Sequence, residues 1–210
     1  MTRDNNEQKL TKTAGKILTV ARAVFAEHGY NGAHMDEIAR RANVNKATLY
    51  YQIGDKDTLY ANVIHYVIGS VAQDITRAVG LAKTPEDKLN AYIACIAQAV
   101  DKNPEIPPIM IREIASGGAN MPRLVAVDIA SVIITLMGVL EEGTKKGVFI
   151  ETIPYLVHMM ILGSILLYKG SAPIKDSQTW LPAAIRNKDK KIHENIAGEV
   201  AKLILRAVKK

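Results

Sequence analysis

The sequence predicts an all-α protein with a small N-terminal head and a larger helical body. Apolar residues recur at the three- and four-residue spacing of amphipathic helices through nearly the whole chain, and alternating apolar and polar runs typical of strands are missing from the sequence. Capping residues, glycines and prolines bound these helical stretches. We therefore expect a head over residues 1–55 and a body over residues 56–210.

The first predicted helix begins at Thr11 or Thr13, since either hydroxyl can serve as an N-cap, and ends at Gly29. Its apolar positions follow the i, i+3, i+4, i+7 rule. These positions are Ile17, Leu18, Ala21, Val24 and Phe25.

Two short helices follow, over residues 35–42 and 46–51. Asn43 tolerates the left-handed backbone of a sharp turn, and Asn45 offers its side chain as the N-cap of the second of these helices. His34 stands just before the first one, without a hydroxyl to cap it. Two short helices joined by so tight a turn form a helix-turn-helix.

The body is predicted to contain six more helices, bounded by caps and glycines. Asp55 caps the fourth helix of the chain, and Thr84-Pro85 opens the fifth. The segment "NPEIPP" reads as a stiff linker, Gly117-Gly118 ends a short helix, and Gly143 ends a long one. The predicted ranges are 56–80, 85–102, 109–115, 122–142, 153–169 and 191–208, with a long loop over 171–190.

The amino-acid composition says more about the cellular compartment of the protein than about its function. The sequence pI near 9.3 favours an anionic partner, but residues 186–210 hold the largest basic surplus, with eight Lys and Arg against three Asp and Glu. Cys95 is the one cysteine, so no disulfide forms within the chain and a reducing cytoplasm is expected. The polar N-terminus carries no signal-peptide pattern. Residues 152–168 lack formal charge, yet Pro154 and His158 favour a helix buried on all sides over a membrane span.

The helix-turn-helix carries side chains suited to B-DNA. A recognition helix fits the major groove, where lysine donates to guanine, alanine meets a thymine methyl, and hydroxyl and amide groups donate to phosphates. Lys56 adds a cation beside the free N–H groups of a helix start. Each side chain by itself also suits a solvated or core position. The outward residues are Lys46, Ala47, Thr48, Tyr50, Tyr51 and Gln52.

The run from Ile17 to Leu59 resembles the N-terminal DNA-binding domain of the TetR/AcrR family of bacterial transcriptional regulators. The matching elements are Phe25-Ala26-Glu27, Gly29-Tyr30, Ile38-Ala39, Ala42, Val44, Thr48-Leu49-Tyr50-Tyr51 and Lys56. The resemblance covers about a fifth of the chain. It implies a homodimer that binds a palindromic operator, represses transcription, and releases the DNA when a small molecule enters the C-terminal domain.

The resemblance also implies roles for individual residues. Lys46, Ala47 and Tyr50 correspond to base-facing positions, and Thr48, Tyr51, Gln52 and Lys56 to phosphate contacts. Three departures occur: Ala33-His34 replaces the usual hydroxyl pair, Asn43 replaces the glycine of the turn, and Gln52-Ile53 replaces a His-Phe pair.

For the body, the resemblance implies dimerisation through the last two long helices and a pocket for a small-molecule effector. We expect the last helix to turn Ile192, Ile196, Val200, Leu203 and Ile204 inward. An apolar or aromatic effector is expected, although each candidate pocket residue also suits an ordinary core. The candidates are His65, Tyr66, Tyr92, Cys95, Met110, Arg112 and Met137.

The sequence disfavours an enzyme. It has no glycine-rich phosphate loop and no metal-ligand spacing, and its five histidines are scattered, so we expect neither a cofactor nor a metal. The main alternative is a helical interaction or assembly protein whose basic C-terminal helix contacts a partner or a membrane surface.

Overall fold

A computed structural model describes residues 11–171 and 195–210 of the chain. Within these residues it is all α-helical, which confirms the predicted fold class, and strand-like pairing is limited to one bridge between Phe149 and Lys209. The predicted start of the last helix at Lys191, together with Ile192, lies outside the described residues, as does nearly all of the predicted loop. The helices are α1 Lys12–Gly32, α2 Met35–Arg41, α3 Lys46–Ile53, α4 Lys56–Leu81, α5 Pro85–Lys102, α6 Ile106–Ala115, α7 Arg123–Lys145, α8 Pro154–Gly170 and α9 Ile196–Val208.

The chain divides into two compact units, and the division falls inside α4, between Ile64 and His65. The first turns of α4 belong to the head because four of their side chains are buried there. These are Leu59, Tyr60, Val63 and Ile64. The domain boundary expected between residues 55 and 56 lies before this division, at the start of α4. As a boundary between two functions, it stays a prediction.

Helix α1 begins and bends where its capping residue and its glycine dictate. Thr11 Oγ1 accepts a hydrogen bond of 3.1 Å from the backbone N–H of Ala14, which confirms one of the two predicted caps. Gly29 has non-helical angles of φ 68° and ψ 179°, but helical backbone resumes after it and continues to Gly32. Regular helix is therefore interrupted at Gly29, as predicted, and one further short turn follows it to Gly32.

Helix α6 begins at Ile106, earlier than the predicted 109. Pro107 and Pro108 lie in its first turn, where a helix has no intrahelical acceptor for the backbone N–H groups that proline lacks. The prolines thus start a helix instead of forming the predicted stiff linker. Gly117 and Gly118 both have positive φ angles and end it, as predicted.

Helix α7 runs through Gly143 and ends at Lys145, so the predicted stop at Gly143 is wrong. A Cβ atom on Gly143 would lie 2.0 Å from Cδ2 of the buried Phe149 ring, which shows why glycine occupies this helical position. The reversal follows at Gly147, whose φ is 71°. Gly143 is therefore required by a close approach between a helix and an aromatic ring.

The body is built around α5, which packs against α7, α8 and α9. Leu89, Tyr92 and Ile93 of α5 are fully buried in this core. By length and composition, α7 is the one helix in the described ranges that could cross a membrane. Its inward residues Val132 and Leu136 are nevertheless part of the body core.

Helix α8 is buried along one side and exposed along the other, so the expectation of burial on all sides is wrong for the single chain. Its exposed apolar residues are Tyr155, Leu156, Met160 and Leu167. On α9 the inward stripe has a spacing of four and consists of Ile196, Val200, Ile204 and Val208. Leu203 is off this stripe and 64% exposed, which corrects its predicted inward orientation.

We expect Gly143→Ala to lower the free energy of unfolding by about 2 kcal/mol, because the added methyl group must displace the Phe149 ring from a packed core. The matched control is Gly138→Ala on the same helix, whose Cβ would meet no atom within 4 Å. That variant should gain about 0.5–1 kcal/mol from helix propensity. Urea unfolding at one fixed protein concentration measures both changes, and equal effects at the two glycines would contradict this packing account.

Candidate functional site

The turn between α2 and α3 is closed by backbone hydrogen bonds. The N–H of Ala42 donates to the carbonyl of Ile38 at 2.8 Å, and the N–H of Val44 donates to that of Ala39 at 3.0 Å. Asn43, between these donors, has a φ of 50°, which confirms the predicted left-handed position. The turn is therefore fixed on both sides of its one unusual residue, and it sets the direction in which α3 leaves.

Helix α3 is capped at its start and anchored at its centre. Asn45 Oδ1 accepts a hydrogen bond of 2.6 Å from the N–H of Thr48, which confirms the predicted N-cap. Leu49 is completely buried and holds the helix on the head, while Gly54, with a φ of 102°, ends it. Helix α3 extends to Ile53, two residues beyond the predicted 51.

The outer surface of α3 exposes most of the residues expected to contact DNA. Tyr51 is 87% exposed and Tyr50 44% exposed, and Lys46 and Ala47 are exposed as well. Thr48 and Gln52 are partly buried. Together these six residues, which we call the α3 face, present a cation, a methyl group, hydroxyls and an amide. The polar groups can donate to base edges and phosphates, and the methyl group can contact a thymine methyl.

Two residues of the α3 face already have partners in the head. The Lys46 ammonium lies 2.7 Å from Oδ1 of Asp36 on α2, and this contact raises the pKa of the lysine, which therefore stays cationic. Gln52 Oε1 accepts a hydrogen bond of 2.8 Å from the Thr11 hydroxyl. The same hydroxyl caps α1, so the end of α3 is tied to the start of α1.

The first turn of α4 is held against the end of α1. Asp55 Oδ1 accepts hydrogen bonds from the hydroxyl and the N–H of Thr58, which lower the pKa of Asp55 and confirm it as the cap. The Lys56 ammonium lies 4.6 Å from the centre of the Tyr30 ring and 3.5 Å from the carbonyl oxygen of Asn31. Lys56 is therefore placed beside the positive end of α4, as a phosphate contact requires.

Tyr30 connects these parts through its ring and its hydroxyl. The hydroxyl donates a hydrogen bond to the carboxylate of Asp57 in the first turn of α4. The ring packs edge-to-face on Tyr60, 5.0 Å between centroids, and Tyr60 packs likewise on Phe25 at 4.8 Å. These aromatic contacts fix α4 to α1 inside the head.

The body contains a cavity of about 260 Å³ between its helices. Within the part of the chain that the structure describes, the lining is apolar except for Tyr155 and His158. Inside the core, the hydroxyl of the fully buried Tyr92 lies 2.7 Å from Nδ1 of His158. The lining residues are Ile68, Val71, Ile96, Val100, Ile106, Met110, Ile114, Met121, Ile129, Val132, Ile133, Tyr155, His158, Met159, Leu162 and Leu166.

Of the seven candidate effector residues, Met110 lines this cavity, and Tyr92 contacts the lining residue His158. His65 is tied by a 2.6 Å contact to Asp128 of α7. Cys95 is partly buried, and burial raises the pKa of its thiol.

The remaining three candidates, Tyr66, Arg112 and Met137, are exposed. Which of the seven bind an effector stays a prediction.

Sequence reasoning placed His158 in a buried helix but not in a site. Its position within a charge-free stretch was the available signal, because a buried histidine needs a polar partner. No group of three or more potential metal ligands occurs within residues 11–171 and 195–210.

Comparisons with known proteins add to this geometry. Residues 17–63 match a family model described as bacterial regulatory proteins, tetR family. The chain is 24% identical over 166 residues to the HTH-type transcriptional repressor NicS of Pseudomonas putida, and the alignment covers 78% of each chain.

Two solved structures share the fold over nearly the whole chain. The ketosteroid transcriptional regulator KstR2 of Mycobacterium tuberculosis has a TM-score of 0.72 at 17% identity, with 97% of each chain covered. The transcriptional regulator FadR from Bacillus subtilis, solved in complex with stearoyl-CoA, has a TM-score of 0.70 at 18% identity, with 91% of this chain and 97% of that chain covered. At such identities the likeness concerns the fold alone.

We expect the pKa of Tyr30 to be about 12, because its hydroxyl donates to Asp57 and a phenolate there would face a carboxylate. This folded-state value is higher than that of an unfolded tyrosine, about 10. The stabilising contribution is therefore fully present below about pH 10 and is lost as the pH rises through about 12.

An NMR titration with carbon-13 at tyrosine Cζ measures this pKa, and Tyr30→Phe assigns the signal. Asp57→Asn should bring the pKa of Tyr30 back toward its ordinary value. A pKa that stays equally high in Asp57→Asn would show that the carboxylate is not the cause.

Proposed function

We propose that this chain, which belongs to the TetR family of bacterial transcriptional regulators, is a cytoplasmic, ligand-responsive repressor that binds a palindromic operator as a homodimer. It acts by binding and carries no catalytic step. The observation that supports this most strongly is the α3 face: six polar or small residues on a helix that is capped by Asn45 and anchored by Leu49. A helix fixed in this way presents the same side chains at each encounter with a duplex.

The α3 face divides into two kinds of contact. Lys46, Ala47 and Tyr50 read base edges in the major groove, where lysine donates to guanine and the alanine methyl meets thymine. Lys56 contacts a phosphate from the positive end of α4, assisted by free N–H groups of that helix start. Thr48, Tyr51 and Gln52 donate to phosphates on either side and set the register of the helix in the groove.

The dimer forms through the exposed sides of α8 and α9. Tyr155, Leu156, Met160 and Leu167 of α8, with Leu203 of α9, give the single chain a row of exposed apolar side chains. A two-fold axis brings this row against its own copy, so one surface serves both partners. Two recognition helices then enter successive major grooves, about 34 Å apart.

The effector enters the apolar cavity of the body. Ile68 and Val71 of α4 line this cavity, and the same helix carries Lys56 at its start. A ligand that displaces these two side chains shifts α4 and lowers the affinity of the head for the operator. Coupling of this kind between two sites is reciprocal, so operator DNA must lower the affinity for the ligand by the same factor.

Substitution of two lysines separates base reading from phosphate binding. Lys46→Ala should reduce the preference for the operator over a mismatched duplex about tenfold, because one base contact is lost. Lys56→Ala should weaken all sequences alike and lower the salt slope of binding by about one counterion per chain. Fluorescence polarisation with operator, mismatched and unrelated duplexes over a range of salt concentrations measures both. Equal changes in the two variants would contradict the assigned roles.

Asp36→Asn should strengthen DNA binding about threefold. Lys46 must leave Asp36 to reach a base, and an exposed ion pair of this kind costs at most about 1 kcal/mol to break. The matched control is Asp74→Asn, which removes an exposed carboxylate on α4 that pairs with Arg77 in the body. The same polarisation assay applies, and weaker or unchanged binding by Asp36→Asn would show that the ion pair does not compete with DNA.

A further inference from the structure

We propose that the ligand of the body cavity is a small uncharged molecule of about ten non-hydrogen atoms, with one hydrogen-bond acceptor directed at Nε2 of His158. The inference rests on the proposed function in one respect, since it takes this cavity as the effector site. Size, hydrogen bonding and charge each restrict the ligand independently.

The cavity volume restricts the size. An apolar cavity of about 150 Å³ in a protein core holds one benzene molecule. By proportion, about 260 Å³ holds about ten non-hydrogen atoms. Ile114 lines the cavity and is 61% exposed, so the cavity reaches the surface at the end of α6. A long acyl chain would exceed this volume and would have to extend through the opening or enlarge the cavity.

The buried Tyr92–His158 pair restricts the hydrogen bonding. Tyr92 Oη is fully buried, and Nδ1 of His158 is its one described partner. A buried hydroxyl that accepted from Nδ1 would leave its own proton without an acceptor, which costs free energy. Tyr92 therefore donates to Nδ1, and the histidine proton resides on Nε2.

The N–H group at Nε2 of His158 can donate a hydrogen bond to a ligand in the cavity. His158 is 3% exposed and lines the cavity. Within the described residues, its hydrogen bond is the one that Nδ1 accepts from Tyr92. An N–H group at the edge of an apolar cavity gains most from a ligand that supplies an acceptor, such as a carbonyl or an ether oxygen. Hydrocarbon ligands leave this donor unpaired.

The surroundings exclude a charged ligand. Among residues 11–171 and 195–210, no Lys, Arg, Asp or Glu side chain lines the cavity. Burial lowers the pKa of His158, so the ring stays neutral at pH 7 and supplies no cation. A carboxylate or phosphate placed here would lose its hydration without gaining a counter-charge, which is costly.

Calorimetric titration of the full-length chain with matched probes tests this inference. The probes are indane, 1-indanone, indane-1-carboxylate and stearoyl-CoA, which vary the acceptor, the charge and the size. We expect 1-indanone to bind at least tenfold more tightly than indane, in line with one hydrogen bond to a buried donor. The carboxylate and stearoyl-CoA should each bind at least tenfold more weakly than 1-indanone.

Variants identify where the probes bind. The double variant Tyr92→Phe/His158→Phe removes both buried polar groups together, which keeps the core satisfied, and it should bind indane and 1-indanone within about twofold of each other. Val132→Phe, which fills the cavity from α7, should abolish binding of both. Val127→Phe, on the exposed side of the same helix, is its control and should bind as the wild type does.

Three results would overturn the inference: equal affinity for indane and 1-indanone in the wild type, tighter binding of the carboxylate or of stearoyl-CoA, or binding of none of the four probes. Polarisation with duplex DNA on the same samples keeps the proposed function separate. Samples that bind an operator but fail these probe tests overturn the ligand class alone. Samples that bind no duplex overturn the repressor, whatever the probes do.

Discussion

Helix α4 is one continuous helix that must satisfy two hydrophobic cores, and this constraint governs the rest of the molecule. Its 26 residues span about 39 Å. Its early residues, such as Leu59 and Ile64, are buried in the head, and its later ones, such as Val67 and Ile75, are buried in the body. The same helix therefore carries Lys56, the proposed phosphate contact, in its first turn and the cavity-lining residues Ile68 and Val71 further along.

In the head, two exposed lysine charges lie on rigidly held helices, and their contacts with neighbouring residues are weak. Lys46 lies against Asp36, and Lys56 lies against the Tyr30 ring, so both cations have weak partners, which the proposed DNA contacts would replace. Exposed pairs of this kind contribute at most about 1 kcal/mol, so little free energy is needed to break them. Rigidity comes from elsewhere: from the closed turn at Asn43, the buried Leu49 and the aromatic contacts of Tyr30 with Tyr60. Positioning and binding thus depend on different residues, and they can be altered separately.

Local sequence predicted the features that local chemistry decides. Thr11, Asn45, Asp55 and Thr84 cap helices through bonds three residues away, so a single stretch of sequence contains both partners. Distant packing decided what was missed. Gly143 was predicted to end a helix, whereas the structure shows that the adjacent Phe149 ring requires a glycine there. The role of His158 depends on its hydrogen bond with Tyr92, which lies 66 positions away. The exposed side of α8 could not be predicted from the sequence either, because an apolar helix has the same sequence pattern whether its second side packs against its own chain or against another one.

The proposed repressor is a two-fold dimer in which each chain presents one recognition helix to the DNA. Its most direct test is selection of bound sequences from a pool of random duplexes, followed by footprinting. This account requires an enriched inverted repeat whose half-site centres lie about one helical turn, roughly 34 Å, or a multiple of it apart, with two chains on each duplex. It also requires Lys46→Ala to select a more degenerate half-site. Enrichment of an asymmetric site occupied by one chain, or of no sequence at all, would contradict it.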